Sequence, residues 1–197
     1  METIFSTVTS ISVGLGLAAS CGFRVFVPML MMSIAVKAGL LELSSGWDWI
    51  GSWPALIAFI VATVVEIGGF YVPWLDNLLD TIAAPSAVVA GTVTTAACVA
   101  DLSPFLQWST AIIAGGGLAA SIKGFTILAR GGSTAATAGI GNPLVATFEL
   151  LMSFVLSVLA LVVPLLAAVA VGLIGFVIVK RTLVYRAARR ARTQPQT

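Results

Sequence analysis

The chain has no histidine and only two cysteines. Without histidine there is no imidazole base, no imidazole metal ligand and no histidine proton relay. Cys21 and Cys98 stand in apolar surroundings with no metal-ligand spacing, and they read as buried, reduced thiols. No phosphate-binding loop, nucleophile elbow or dinucleotide glycine fingerprint occurs either, so no cofactor and no catalytic constellation is called for. Charge is the scarcest property of all. Charged residues make up 9% of the chain, whereas a soluble domain carries about 25%. The composition excludes a water-covered surface.

What is abundant is apolar sequence: 59% of the 197 residues are hydrophobic, and the mean hydropathy is +1.08. Both values imply an all-α integral membrane protein, with the lipid bilayer as its surroundings. The Met1-Glu2-Thr3 start lacks a basic signal region, so the first apolar segment is expected to stay in the mature protein. Six cations (Lys180, Arg181, Arg186, Arg189, Arg190 and Arg192) crowd the last eighteen residues, directly after an apolar run. Such a tail belongs on the cytoplasmic side. A patch for nucleic acid or anionic lipid is the alternative, but anchoring is simpler, and no specific nucleic-acid partner is expected.

Prolines, glycines and polar clusters divide the chain into eight candidate segments: 4–20, 23–40, 54–71, 77–100, 104–121, 124–140, 142–163 and 164–180. Pro85 interrupts the fourth, and Arg130-Gly131-Gly132-Ser133-Thr134 interrupts the sixth. These two read as discontinuous or re-entrant, so six to eight transmembrane or re-entrant helices are expected. Trp47 and Trp49, in the loop after the second segment, suit a membrane–water boundary.

A repeat organises these segments. Gly16-Leu17-Ala18-Ala19-Ser20 recurs as Gly117-Leu118-Ala119-Ala120-Ser121, each copy followed closely by Gly-Phe. Trp53-Pro54 is matched by Asn142-Pro143, and Val61-Ala62-Thr63-Val64-Val65-Glu66 by Val145-Ala146-Thr147-Phe148-Glu149. Three matches in one order predict two related halves, residues 1–102 and 103–185, followed by a basic cytoplasmic tail, 186–197. An odd number of crossings per half would invert them, and four would make them parallel. One dubious segment in each half favours inversion. Repeats of this kind place a transporter's binding site at their interface.

Acids inside a bilayer cost about 2.5–3.5 kcal/mol each on insertion scales, so each needs a partner or a task. Glu66 and Glu149 either bond backbone and hydroxyl groups of neighbouring helices, or flank a two-fold axis and hold a cation or proton. In Asp76-Asn77-Leu78-Leu79-Asp80, Asp76 can cap a helix, with Asn77 and Asp80 in its first turn. The two carboxylates, four apart on one face, equally suit a cation or polar-substrate site. Arg24 and Arg130 either reach the headgroups or neutralise a carboxylate, most naturally an aspartate of the 76–80 stretch. Ser133, Thr134 and Asn142 are candidate cavity linings, or else satisfy backbone freed by the glycines.

The blocks GLAASCGFRVFVP (Gly16–Pro28), VPWLDNLLDTIAAPSAVVAG (Val72–Gly91) and STAATAGIGNPLVATFE (Ser133–Glu149) resemble a widespread bacterial membrane family known as domain of unknown function 4126. GSWPALIA (Gly51–Ala58) and IAGGGLAAS (Ile113–Ser121) extend the likeness over almost the whole chain. The resemblance implies a multi-pass protein of the bacterial inner membrane and no established activity. An acidic pair is common where this chain has Glu149-Leu150, so Leu150 weakens any scheme that needs two acids there. The leading expectation is a small channel or secondary transporter for an ion or small polar solute. So few helices enclose a pathway poorly, so a homo-oligomer is expected. A structural, accessory or lipid-binding membrane protein is the alternative, and an intramembrane enzyme is a third reading.

Overall fold

The computed structural model describes residues 2–100, 102–167, 169, 172, 173 and 180. Among the described residues the regular structure is helical throughout: α1 (Glu2–Phe23), α2 (Phe26–Lys37), α3 (Trp53–Gly69), α4 (Pro73–Cys98), α5 (Pro104–Thr110), α6 (Gly117–Thr137) and α7 (Asn142–Val162). A 3-10 turn, Asp48–Gly51, precedes α3, and a π-helical turn, Ala111–Gly116, joins α5 to α6.

The outward faces of the helices are apolar, unlike those of a soluble protein. On α3 the buried positions are Ala55, Phe59, Thr63, Glu66 and Gly69, while Ile57, Val61, Val64 and Val65 are exposed. On α6 the buried face carries Ala119, Ile122, Lys123, Thr126 and Arg130, and Phe125, Ile127 and Leu128 point outward. On α7 Glu149, Ser153 and Ser157 are buried, with Leu144, Phe148, Leu151 and Phe154 outside. Water would reverse this arrangement, and hydrocarbon favours it. Among the described residues, four stretches are long and apolar enough to span a bilayer: Ile4–Phe23, Thr81–Cys98, Pro104–Thr137 and Asn142–Val162. The chain is a helical membrane protein.

Two sequence expectations are corrected. The fourth segment is continuous: α4 runs through Pro85 without a break. An interior proline costs a helix about 3 kcal/mol. Opening the helix would free further backbone groups in hydrocarbon, where each costs several kcal/mol, so the intact helix wins. The sixth segment is likewise unbroken, and it merges with the fifth into one helical run, Pro104–Thr137. Gly131 and Gly132 have nothing within 4 Å of where a Cβ would stand, and a helical glycine costs only about 1 kcal/mol. The irregularity sits instead at Ala111–Gly116. The second segment contracts to the twelve residues of α2, roughly 18 Å at 1.5 Å per residue, too short to cross alone. The seventh opens at Asn142 as expected, while most of the eighth lies outside the described residues.

Helix α1 is the axis of the bundle, packed against α4, α6 and α7. Small residues allow the approach. A Cβ on Gly22 would stand 2.6 Å from the Ile122 Cβ and 2.8 Å from the Ala119 carbonyl, so only glycine lets α1 meet α6 there. This contact lays the region just after the first GLAAS segment on the second one. Hydroxyls satisfy themselves by bonding back one turn, as Ser20 does to the Gly16 carbonyl (2.9 Å) and Ser157 to that of Ser153 (2.7 Å). At one end of the bundle Trp47 packs near Trp108, with ring centroids 6.3 Å apart, and the Lys37 ammonium lies 3.8 Å over the Trp53 ring.

Candidate functional site

Between α1 and α2 the helical path is interrupted at Arg24 and Val25, and this break organises the site. The N-terminus of α2 has no side-chain cap of its own. Glu66, on the buried face of α3, supplies one. Its Oε1 accepts the Val25 N–H at 2.8 Å and its Oε2 accepts the Phe26 N–H at 3.0 Å. A carboxylate is well placed there, because the orphan N–H groups and the helix dipole both favour negative charge.

Arg24, at the break itself, turns into the bundle and is 1% exposed. Its Nη2 donates to the Ala146 carbonyl at 2.9 Å and lies 3.6 Å from Oε2 of Glu149. Glu149 is itself held by Arg130, whose Nε donates to Oε1 at 3.1 Å while its Nη2 bonds Oε2. This two-point pairing is the strongest geometry that arginine and carboxylate adopt. It joins α6 to α7. Lys123, two turns before Arg130 on the same buried face, is 2% exposed.

Phe70, just past the end of α3, is the common neighbour. Its ring lies 3.9 Å from the Arg24 guanidinium, 4.4 Å from that of Arg130 and 5.6 Å from the Lys123 ammonium. Each such contact is worth about 0.5–2 kcal/mol, most where water is excluded. The arrangement nevertheless leaves one group short: Nε and Nη1 of Arg24 are buried and have no hydrogen-bond partner. An unsatisfied buried donor costs about 1–3 kcal/mol, more when charged.

Two cavities adjoin the cluster. The larger, about 540 Å³, lies between α3 and α4 and is lined by Val25, Phe26, Glu66, Phe70, Ala83 and further aliphatic side chains. The smaller, about 250 Å³, lies between α4 and α6 beside Lys123 and Pro85.

The structure thus brings together Arg24, Glu66, Arg130 and Glu149 among the residues singled out in the sequence. Arg130 pairs with Glu149. Asp76, Asn77 and Asp80 fall in the first turns of α4, and their side chains lie outside the described residues, as does any pairing with them. Helix α4 starts at Pro73 with Val72 as its N-cap, so Asp76 is not the cap. Ser133, Thr134 and Asn142 lie where α6 turns into α7. There Asn142 Nδ2 donates to Thr134 Oγ1 at 3.1 Å, and the Ser133 carbonyl accepts from Thr137 Oγ1 at 2.8 Å. They stabilise a turn that passes through Ala138 (φ 53°) and Gly139 (φ 90°). Lys123 and Phe70 were missed. The seven-residue spacing of Lys123 and Arg130, with Thr126 between them on one face of an apolar helix, was the available signal for the lysine. Nothing in the sequence marks Phe70.

Among the described residues no three cysteine or acidic side chains converge as metal ligands, and the chemistry that the cluster offers is hydrogen-bond donation from buried cations. The family model that matches the chain is described as domain of unknown function (DUF4126), and it covers residues 11–182. The chain belongs to that family. Comparison with curated proteins and with solved structures finds no match.

Proposed function

We propose that this member of the family is a small channel or secondary transporter whose working site is the buried ionic cluster between two repeated halves. The carrying observation is where the cluster's members come from. Arg24, Glu66 and Phe70 belong to residues 1–102, and Lys123, Arg130 and Glu149 to residues 103–185; the three cations meet around the Phe70 ring, and Glu149 pairs with Arg130 beside Arg24. The duplicated GLAAS motifs and the close approach of Gly22 to Ala119 support a two-fold relation of the halves. A homo-oligomer in the bacterial inner membrane is part of the proposal, because so few helices enclose a pathway poorly, with the basic C-terminal tail in the cytoplasm.

A brace made only for stability is the weaker account of so many charges. Replacing a buried ion pair by well-packed apolar residues is often neutral or stabilising, and charges kept inside a bilayer mark solute pathways by default. The geometry also shifts the solute. Glu66 accepts from two backbone N–H groups and Glu149 from Arg130, so both carboxylates already have donors. The open capacity is donor capacity on Arg24, which favours an anion or an oxygen-rich polar solute.

Proteoliposomes test this with tracer uptake of chloride, sulfate, phosphate, acetate, sodium and protons under imposed gradients. An anion should cross in the wild type, and Arg24→Gln should slow it at least tenfold. Absence of flux for every solute would end the transport reading. The capping of α2 by Glu66 favours one second reading, a structural membrane protein. It would show the Arg24→Gln variant losing stability with no flux to lose.

A further inference from the structure

We infer that the cavity between α3 and α4 takes the apolar chain of an anionic amphiphile from the bilayer, and that Arg24 receives its charged head. The inference rests on the reading of Arg24 as a ligand-binding group and adds to it the class of ligand.

The cavity is the first argument. At about 540 Å³ it has the size of a small-molecule site, and among the described residues its walls are aliphatic or aromatic except at Glu66 and Ser86. Both exceptions are turned away from a guest: the Ser86 hydroxyl donates to the Ile82 carbonyl at 2.8 Å, and the Glu66 oxygens hold the Val25 and Phe26 amides. What the cavity offers is apolar surface.

Its entrance is the second. Val61, Val65 and Ile82, which line it, are 57%, 63% and 55% exposed, on the outward faces that contact hydrocarbon in a bilayer. A free ion reaching this opening would have to shed its hydration in an apolar passage, at a cost far beyond what the walls return. A molecule with an apolar chain enters without that penalty and carries its head inward.

The inner end is the third. Val25 and Phe26, which line the cavity, directly follow Arg24, and Phe70, also in the lining, lies under its guanidinium at 3.9 Å. That guanidinium is 1% exposed and keeps two nitrogens without an acceptor. Buried polar groups are almost always satisfied, and a phosphoryl or carboxylate oxygen is the complementary partner. Apolar passage and unsatisfied cation share the Phe70 ring, which lines the one and lies against the other, and together they describe an amphiphile whose head passes that ring.

The test is ligand retention by the full chain, released from detergent micelles in a native mass spectrometer. Three probes separate the contributions: oleoyl lysophosphatidic acid (chain and anion), monoolein (chain alone) and inorganic phosphate (anion alone). Wild-type protein should hold one lysophosphatidic acid at least tenfold more tightly than either other probe. Arg24→Gln should reduce that binding tenfold or more, towards the monoolein level. Arg24 is buried, so a second variant guards against misfolding. Ala62→Phe, on the half-buried wall of the cavity, should stay monodisperse and lose the lipid just as strongly. Equal retention of monoolein, equal binding of inorganic phosphate, or full retention by a folded Ala62→Phe protein would each overturn the inference. Binding is measured here without flux. Tight lipid binding with no flux therefore keeps the inference and removes transport, and anion flux without lipid binding does the opposite.

Discussion

Removing the Glu66 carboxylate is the sharpest test of how the break at Arg24-Val25 is held. In Glu66→Ala the N–H groups of Val25 and Phe26 lose acceptors at 2.8 and 3.0 Å, at a position where the side chain is 7% exposed. Two orphaned buried donors cost about 2–6 kcal/mol together, and losing an anion at a helix N-terminus adds up to about 1 kcal/mol. The adjoining cavity is almost entirely apolar, so water relieves little of this. Glu66→Gln should fall between, because an amide presents one acceptor and turns a donor towards the second N–H. Hydrogen exchange of the Val25 and Phe26 amides in detergent reads the effect directly. At tenfold per 1.4 kcal/mol, exchange there should accelerate by roughly thirtyfold or more in Glu66→Ala and less in Glu66→Gln. The exposed Glu42, replaced by alanine, should leave both amides unchanged. Equal protection of the two amides in Glu66→Ala and wild type would refute the capping role, whatever happened to global stability.

Two further perturbations probe the packing around the cluster. Arg130→Met leaves Glu149 short of its two-point partner and should cost about 3–5 kcal/mol. The double variant with Glu149→Leu should recover much of this in thermal unfolding, and simple additivity of the two single effects would refute the pair. Gly22→Ala forces a Cβ to within 2.6 Å of Ile122 and should lose about 1–3 kcal/mol through overpacking. Gly124→Ala on the same helix pair meets open space and should be neutral or gain up to about 1 kcal/mol, so equal losses at both positions would contradict the close approach of α1 and α6.

The membrane class was legible because composition is a property of the whole surface: a chain with 9% charged residues has no way to cover itself with water-facing groups. Helix ends were legible where a proline opens a helix, as at Pro54, Pro104 and Pro143. Pro85 and Gly131-Gly132 misled because their disruptive power is set by the solvent. In water a broken helix is rescued by hydration, whereas in hydrocarbon it is not, and α4 and α6 continue. The break at Arg24-Val25 falls four residues before Pro28, which has no N–H for the Arg24 carbonyl and crowds it, close to the boundary expected between the first two segments; the group that caps it, Glu66, is distant in sequence. The break was legible locally, and its capping partner was not.

The same logic accounts for the site. The intramembrane charges were conspicuous one by one, since each is costly alone, but their pairing depends on how α1, α3, α6 and α7 cross. Arg24 and Arg130, expected to neutralise carboxylates, both approach Glu149. Phe70 was silent because an aromatic beside two glycines is ordinary in an apolar helix. It matters here only because three cations gather round its ring. Among the described residues, every bond made by the two buried carboxylates runs to backbone or to arginine, and the unused hydrogen bonds all belong to Arg24 or to hydroxyls. A cation site would show the reverse imbalance, with acceptors left over. The leftover donors are what turn the reading from the acids, prominent in the sequence, to the arginine between the first two helices.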